Sequence, residues 1–386
     1  MLIEQRIFRI NSFLIAAILM VMLTTSSLAA PIPALTSTWQ ITTVDDSGSL
    51  GDGNSIAIAP NGYPHISYYD DSNYSVKHAY QDEAGWHVQV IMLQDDYYSY
   101  SGSTSIAIDQ DGFAHVSFQN PNPAALMYAE QDDLGWTVIT VTLETDMGFF
   151  TSLALDRDGN AHIAFSSGNY PNGTLQFASQ VGNSWQIETV ESTSVEGTQR
   201  SLALASDGTP HISYQKEDAL WYATRDTEGW HLQQIAGGGW GIETGSGSSL
   251  ALDSQGNPHI VHNYYNSDSA SSSLLYEYQD AQGWHRETVD DHINTSGITS
   301  IALDSEDNPH VSYFFGWPNT GLAYAYRSSA GWHYELVETG GTTFGSLALK
   351  DGKFPHISYQ FYSSGYTLKY AYLPTTYMTF VPFAVK

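Results

Sequence analysis

Short apolar runs separated by polar turns recur along the chain at a nearly constant spacing. Each run reads Ser-(Ile/Leu)-Ala-(Ile/Leu), and a second run, (Pro/Ala)-His-(Ile/Val), follows it after a short turn. Seven copies are present, and successive histidines are 46 to 51 residues apart. The serines that open repeats 1 to 7 are Ser55, Ser105, Ser152, Ser201, Ser249, Ser300 and Ser346. A period of this length is typical of repeat architectures such as propellers.

The pattern within each repeat predicts four short β-strands. The serine run is the first strand and the histidine run the second, joined by hairpin-favouring turns such as Asp111-Gly112. A third strand reads Leu-x-(Tyr/Phe)-Ala, for example at 126–129, and a fourth opens on tryptophan, for example at Trp185. No helical periodicity competes with this alternation after residue 30. The chain is therefore predicted to be all-β.

The two ends of the repeat array complement each other. Repeat 7 stops after its third strand, near Tyr372, whereas a tryptophan strand at 39–44 stands before repeat 1. An open row of blades would leave unpaired edge strands, which promote aggregation. We therefore expect a seven-bladed β-propeller of four-stranded blades, closed by the N-terminal strand completing the last blade.

The termini predict three regions. Arg6 and Arg9 precede an apolar core at 13–23, and a stretch of small residues ends at Ala30. This is the pattern of a secretory signal peptide over residues 1–30, with an uncleaved membrane anchor as the alternative. The propeller would then span 31–373 and an apolar tail 374–386, in a protein that is secreted or held at the cell surface.

Composition narrows the classes of partner. The chain has no cysteine, so no disulfide contributes to its stability. Its formal net charge is −28, whereas proteins bind nucleic acid and anionic membranes through basic residues. We therefore expect an extracellular glycan or protein as partner, with no nucleic acid and no membrane span after signal cleavage.

The connections between strands predict a binding face. The first-to-second and third-to-fourth turns of a blade share one edge, the tight-turn face, and the longer second-to-third and fourth-to-first connections share the other, the long-loop face. Variable loops on a rigid scaffold commonly carry function. Aromatic rings there, flanked by acids such as Asp45, Glu191 and Glu338, can stack on sugar rings. The predicted ligand-binding residues are Tyr97, Tyr98, Trp240, Tyr264, Tyr265, Trp317 and Tyr362.

One departure from the repeat suggests a catalytic site. Where six repeats carry Tyr or Phe after the second-strand histidine run, repeat 5 carries His262. The connection that follows this repeat contains Asp291 and His292, and Arg200 precedes the first strand of repeat 4. If the protein is an enzyme, these four residues are the candidates for base, acid and anion-binding roles.

The recurring histidines, tryptophans and Asp-Gly turns favour structural roles. Histidines one blade apart cannot all approach a single ion to about 2.1 Å. We expect them to hydrogen-bond between blades, and we expect the tryptophans to lie in the core. The turns lack the bidentate glutamate of an EF-hand loop. We therefore predict no metal and no cofactor, with calcium binding by the acidic loops left open as an alternative.

The unit at 249–260, with Leu-x-Tyr-Ala-like and Gly-Trp segments after it, resembles the repeat of secreted bacterial sialidase-like propellers of the BNR type, mostly uncharacterised. The resemblance covers about residues 39–373 and implies the propeller fold. True sialidases would imply an Asp-box and three arginines on the substrate; the box is missing, and only Arg200 is expected to face the centre from the long-loop face.

The leading hypothesis is a non-enzymatic binding module for a glycan or a protein. The alternative is a polysaccharide lyase or glycoside hydrolase with a central His/Asp site.

Overall fold

The computed structural model describes residues 39–94, 103–121, 124–142, 147–168, 173–237, 239–291, 297–316 and 320–374, all within the compact unit Ser37–Lys386. These residues form β-strands joined by turns, and they contain no helix. None of these ranges therefore contains an apolar helix of membrane-spanning length. The prediction of an all-β fold is confirmed.

Twenty-seven strands occur in the described ranges, rich in the β-branched and aromatic residues that suit pleated, half-buried segments. In chain order they are β1 (Gln40–Asp45), β2 (Leu50–Ile58), β3 (Pro64–Asp70), β4 (Ser75–Asp82), β5 (Gly85–Leu93), β6 (Ser105–Ile108), β7 (Ala114–Pro121), β8 (Ala124–Asp132), β9 (Gly135–Thr140), β10 (Met147–Leu155), β11 (Ala161–Ser167), β12 (Gly173–Val181), β13 (Ser184–Leu204), β14 (Pro210–Lys216), β15 (Ala219–Asp226), β16 (Gly229–Ala236), β17 (Ile242–Leu252), β18 (Pro258–Asn266), β19 (Ser271–Asp280), β20 (Gly283–Asp290), β21 (Ser300–Leu303), β22 (Pro309–Phe315), β23 (Gly321–Ser328), β24 (Gly331–Thr339), β25 (Gly341–Lys350), β26 (Phe354–Tyr362) and β27 (Tyr366–Tyr372).

The strands pair into antiparallel sheets, for the most part in sequence order. Five sheets have four strands each, and a sixth has seven, β10 to β16. The larger sheet arises because β13, which is 21 residues long, pairs with β12 along its first part and with β14 along its second. The N-terminal strand β1 pairs antiparallel with β27, so that Gln40 lies opposite Tyr372. The first strand of the described chain is therefore hydrogen-bonded to the last.

The opening serine of each repeat joins neighbouring first strands. Ser55 Oγ accepts a hydrogen bond from the backbone N–H of Ile106 at 3.3 Å, and Ser346 Oγ accepts one from the N–H of Ile56 at 3.2 Å. The donors to the serines of repeats 2 to 6 are, in that order, Leu153, Leu202, Leu250, Ile301 and Leu347. The repeated Ser-(Ile/Leu)-Ala-(Ile/Leu) run thus supplies a hydrogen bond from every repeat to the next, and from repeat 7 to repeat 1.

Each strand-opening tryptophan packs on a third-strand side chain of the preceding repeat. Trp332 meets Tyr276 edge-to-face, with ring centroids 5.5 Å apart, and Trp39 meets Tyr324 in the same way at 5.3 Å. Such pairs contribute about 0.5–1.5 kcal/mol beyond area burial. The other pairs are Trp86–Tyr370, Trp136–His78, Trp185–Tyr128, Trp230–Phe177 and Trp284–Tyr222. Six of the seven contacts join different sheets, and the Trp230–Phe177 contact lies within the seven-stranded sheet. Each tryptophan lies in or against a buried apolar cluster, which agrees with the core role predicted for the tryptophans.

The recurring histidines bond within their own sheet. His115 Nδ1 lies 2.5 Å from the hydroxyl of Tyr128 on the third strand, and its Nε2 lies 3.3 Å from Asp109 Oδ2 in the hairpin turn. The expectation that these histidines bond between blades is therefore wrong. The register places Ser117 opposite Tyr128, which makes His115 the diagonal neighbour of that tyrosine on the same face. The same pairing with a third-strand tyrosine recurs at His211, His259, His310 and His356.

The Asp-Gly-type turns are held by their own aspartate. Asp253 Oδ1 accepts hydrogen bonds from the backbone N–H groups of Gln255 (2.9 Å) and Asn257 (2.7 Å), and Asn257 Nδ2 donates to Oδ2. Burial would raise the pKa of Asp253, but these bonds outweigh it, and the pKa is lowered. Gly256 supplies the left-handed conformation of the turn, with φ of +86°. These carboxylates therefore stabilise the backbone of the turns, as predicted for ordinary hairpin turns.

Candidate functional site

His262 is fully enclosed in repeat 5. Its residue surface is 0% exposed, and Nδ1 accepts a hydrogen bond from the N–H of Gly245 at 3.2 Å and lies 3.0 Å from Thr244 Oγ1. The other ring nitrogen, Nε2, lies 3.4 Å from Glu277 Oε1. Nδ1 also lies 3.1 Å from the backbone oxygen of Asn263, so both ring nitrogens face polar groups of the protein. The imidazole therefore ties β17, β18 and β19 together.

Glu277 and Arg286 complete a polar network that the sequence analysis missed. Arg286 Nε donates to Glu277 Oε1 at 2.5 Å; Glu277 is 2% exposed, whereas the Arg286 side chain is 49% exposed. Six repeats carry alanine at the position of Glu277, such as Ala79, and apolar or aromatic residues at that of Arg286, such as Val88. A buried carboxylate needs partners of this kind. Comparing every position across the repeats would have linked these two departures with His262.

Neither Arg200 nor Asp291 is among the hydrogen-bond partners of His262 in the described part of the chain. Arg200, on β13, is 4% exposed, its guanidinium carbon lies 5.4 Å from the ring centroid of Phe150, and burial lowers its pKa to about 9. Asp291 is exposed just after β20. His292 lies outside the described residues. The catalytic roles of these four residues therefore stay a prediction.

Acidic residues that were expected to flank a ligand instead join neighbouring repeats. Glu338, at the end of β24, accepts hydrogen bonds from Tyr359 Oη and Lys369 Nζ, both at 2.6 Å. Glu191 accepts one from Lys216 Nζ at 2.6 Å. Burial alone would raise the pKa of Glu191, but its hydrogen bonds and the lysine charge lower it. Asp45 forms the corresponding bonds with Tyr68 and Lys77. These three carboxylates are occupied by the fold.

An exposed pair of tyrosines lies on the long-loop face of repeat 7. Tyr362 ends β26, Tyr366 begins β27, and their ring centroids are 4.9 Å apart. The two residues are 52% and 40% exposed. The turn between them, 363–365, is Ser-Ser-Gly and carries no charge. Tyr362 was among the predicted ligand residues, whereas Tyr366 was missed because the repeat pattern is variable at the start of the third strand.

Trp240 projects from a tight turn on the long-loop face of repeat 5. The N–H of Ile242 donates to Gly239 O at 2.9 Å, and Gly241 adopts φ of +74°, which makes Trp240 the first central residue of a β-turn. Trp240 is 99% exposed. The N–H of Ser267, between β18 and β19, donates to Gly241 O at 2.8 Å, so the fourth-to-first and second-to-third connections meet here.

The remaining predicted ligand residues divide between this site and undescribed segments. Tyr265 on β18 is 42% exposed, and Tyr264 beside it is half-buried. Tyr97, Tyr98 and Trp317 lie outside the described residues. No group of three or more His, Cys, Asp and Glu side chains is placed to hold a metal ion in the described part of the chain.

Solved structures with this architecture include both carbohydrate-binding proteins and carbohydrate-active enzymes. The polysaccharide lyase Uly1 is similar over 86% of this chain and 91% of its own, with 10% identity and a TM-score of 0.55. A GH93 α-L-arabinofuranosidase of Fusarium graminearum, solved with arabinobiose, is similar over 71% of this chain and 92% of its own (11% identity, TM-score 0.51). A mutant of the Aleuria aurantia lectin, in complex with Fucα1-6GlcNAc, matches 76% of this chain and 97% of its own (12% identity, TM-score 0.50).

These likenesses establish a β-propeller-like fold and leave activity open. At identities of 10 to 12%, site residues cannot be transferred from one protein to the other. No protein-family model matches the chain, and no curated protein matches it. Function must therefore be argued from the chain's own side chains.

Proposed function

We propose that the protein is a secreted extracellular binding module that recognises glycans through its long-loop face. The observation that carries the proposal is the Tyr362–Tyr366 pair, two rings 4.9 Å apart that are both about half exposed. A tyrosine ring can stack on the apolar face of a sugar while its hydroxyl bonds a sugar hydroxyl. Adjacent, solvent-facing rings on a hairpin pinned by strand pairing form a preorganised platform of this kind.

The same proposal takes the fold to be a closed, seven-bladed, sialidase-like propeller. In this interpretation β13 supplies the fourth strand of the third blade and the first strand of the fourth, which divides the seven-stranded sheet in two. The pairing of β1 with β27, the seven serine bonds and the seven tryptophan contacts support closure. A closed ring would give the loops a rigid base, and the signal-like segment 1–30 would place it outside the cell.

The first test is a glycan-array screen of residues 31–386, with and without calcium, run beside an assay for released reducing or unsaturated ends. We expect binding without release of new ends. The double variant Tyr362→Ala/Tyr366→Ala should weaken binding at least about ten-fold, or about 1.4 kcal/mol. The matched control is Leu134→Ala, which removes a 96% exposed side chain from the tight-turn face. Binding of uncharged glycans that survives the double variant would contradict the proposed site, and a calcium requirement would bring the acidic loops into it.

The alternative function is a polysaccharide lyase or glycoside hydrolase that uses His262, His292, Asp291 and Arg200. The likeness to a polysaccharide lyase motivates it, and the complete burial of His262 weighs against it, since a catalytic base must reach its substrate. Release of unsaturated or reducing ends that is abolished by His292→Ala would replace the binding module with this enzyme.

A further inference from the structure

The surroundings of Trp240 differ in charge from those of the tyrosine pair. A Cβ atom placed on Gly241, which follows Trp240, would lie 3.6 Å from Asp268 Oδ1. Glu243 stands opposite the exposed Tyr265 in the pairing of β17 with β18. Two aromatic residues and two carboxylates therefore lie at the same end of the β17–β18 hairpin.

A second hairpin adds negative charge beside the first. Glu217 and Asp218 form the exposed two-residue turn between β14 and β15, both with positive φ, and Asp218 O accepts a hydrogen bond from the N–H of Thr244 on β17. In the part of the chain that the structure describes, no lysine, arginine or histidine forms an ion pair with the carboxylates of this patch. The nearby Lys216 is engaged by Glu191 at 2.6 Å. The patch, called here the Trp240 site, comprises Trp240, Tyr265, Glu217, Asp218, Glu243 and Asp268.

We propose that the Trp240 site binds amine-bearing sugars, that is, glycans whose residues carry a free ammonium group. This inference rests on the proposed glycan-binding function and names a ligand class for a second site. The face of an indole attracts cations through its quadrupole and also stacks on a pyranose ring. The carboxylates of the Trp240 site, which form no ion pair with a lysine, arginine or histidine of the described residues, are complementary to ammonium groups on the same saccharide. The uncharged turn of the Tyr362–Tyr366 pair has no such preference.

The fold prepares this site in advance of binding. The β-turn bond from Ile242 to Gly239 and the bond from Ser267 to Gly241 hold the Trp240 backbone. The side-chain oxygen of Asn266 accepts the N–H of Asp268 at 2.9 Å, which fixes the turn carrying that carboxylate. Gln215 Nε2 donates to Glu243 Oε1 at 3.2 Å, which holds the Glu243 carboxylate in position. The backbone of the site then needs little ordering when a saccharide binds.

The test compares a β-1,4-linked glucosamine hexamer with the N-acetylglucosamine hexamer, which has the same backbone without the charge. Binding to residues 31–386 is measured by calorimetry below the pKa of the amines, at low and high salt. We expect the glucosamine hexamer to bind more tightly, with an affinity that falls as salt screens the charges. Trp240→Ala should weaken it about ten-fold and Glu243→Gln/Asp268→Asn about five-fold.

The control Glu83→Gln/Asp133→Asn removes the same charge from exposed turns on the tight-turn face and should leave the preference intact. Equal binding of the two hexamers would overturn the inference while leaving glycan recognition at the tyrosine pair standing. An equal loss in the charge control would also overturn it, because net charge alone would then explain binding. If hexalysine bound in a Trp240-dependent way and no saccharide bound at all, both the inference and the proposed function would be overturned.

Discussion

Removing Trp39 tests whether the N-terminal strand is an integral part of a closed ring. Trp39 is 9% exposed, lies edge-to-face on Tyr324, and donates its indole N–H to Glu335 Oε2 at 3.1 Å. Burying roughly 200 Å² of ring at about 25 cal/mol per Å² gives an upper value of about 5 kcal/mol. Measured Trp→Ala losses are about 3–5 kcal/mol. We therefore expect Trp39→Ala to lower the free energy of unfolding by about 3–5 kcal/mol.

The matched control is Trp332→Ala in the interior of the array. Trp332 contacts Tyr276 with the same geometry and donates to Glu287 Oε2 at 3.2 Å, as Trp39 donates to Glu335. Urea unfolding followed by far-ultraviolet circular dichroism gives the midpoint and slope for each variant. Closure predicts losses that agree within about 1 kcal/mol. A Trp39→Ala loss below about 1 kcal/mol beside a full Trp332→Ala loss would mean that β1 frays independently, and it would refute the closed ring.

Two further substitutions test local geometry and pH dependence. Gly247→Ala should lower the free energy of unfolding in urea by at least about 2 kcal/mol more than Gly256→Ala. Both glycines have positive φ, but only a Cβ on Gly247 would meet Gly297 O, at 2.2 Å. Equal losses would contradict this close approach. Burial lowers the pKa of His65 to about 4 and that of His78 to about 3, so the unfolded chain binds more protons than the folded one below pH 6.5. Stability should fall from pH 6.5 towards pH 4 by up to about 1.4 kcal/mol per pH unit for each histidine. His78→Tyr, the residue of five other repeats, should flatten that fall, and an unchanged slope would refute the assignment.

The regular part of the fold was predictable because every repeat encodes it. The alternation of Ser-Ile-Ala-Ile and the position of the tryptophans specify strands and the contacts between sheets. The partner of the histidines was not predictable from spacing, since it depends on a register that makes His115 the diagonal neighbour of Tyr128. A one-residue shift would have turned these side chains to opposite faces.

The candidate site was predictable only in part. An exposed ring and a buried one look alike in sequence, and the exposure of Trp240 follows from a turn stabilised by a hydrogen bond between backbone groups. The acids Glu191 and Glu338 form ion pairs with lysines of the neighbouring repeat, which composition does not reveal. The His262 network required three positions to be compared together across the repeats.

The most direct test of the central claim is a crystal structure of residues 31–386 soaked with the strongest ligand from the glycan array. We expect a sugar ring stacked on Tyr362 or Tyr366, on the long-loop face, with no protein group positioned for bond cleavage. Saccharide bound instead beside Arg200 and Asp291, or on the tight-turn face, would contradict it.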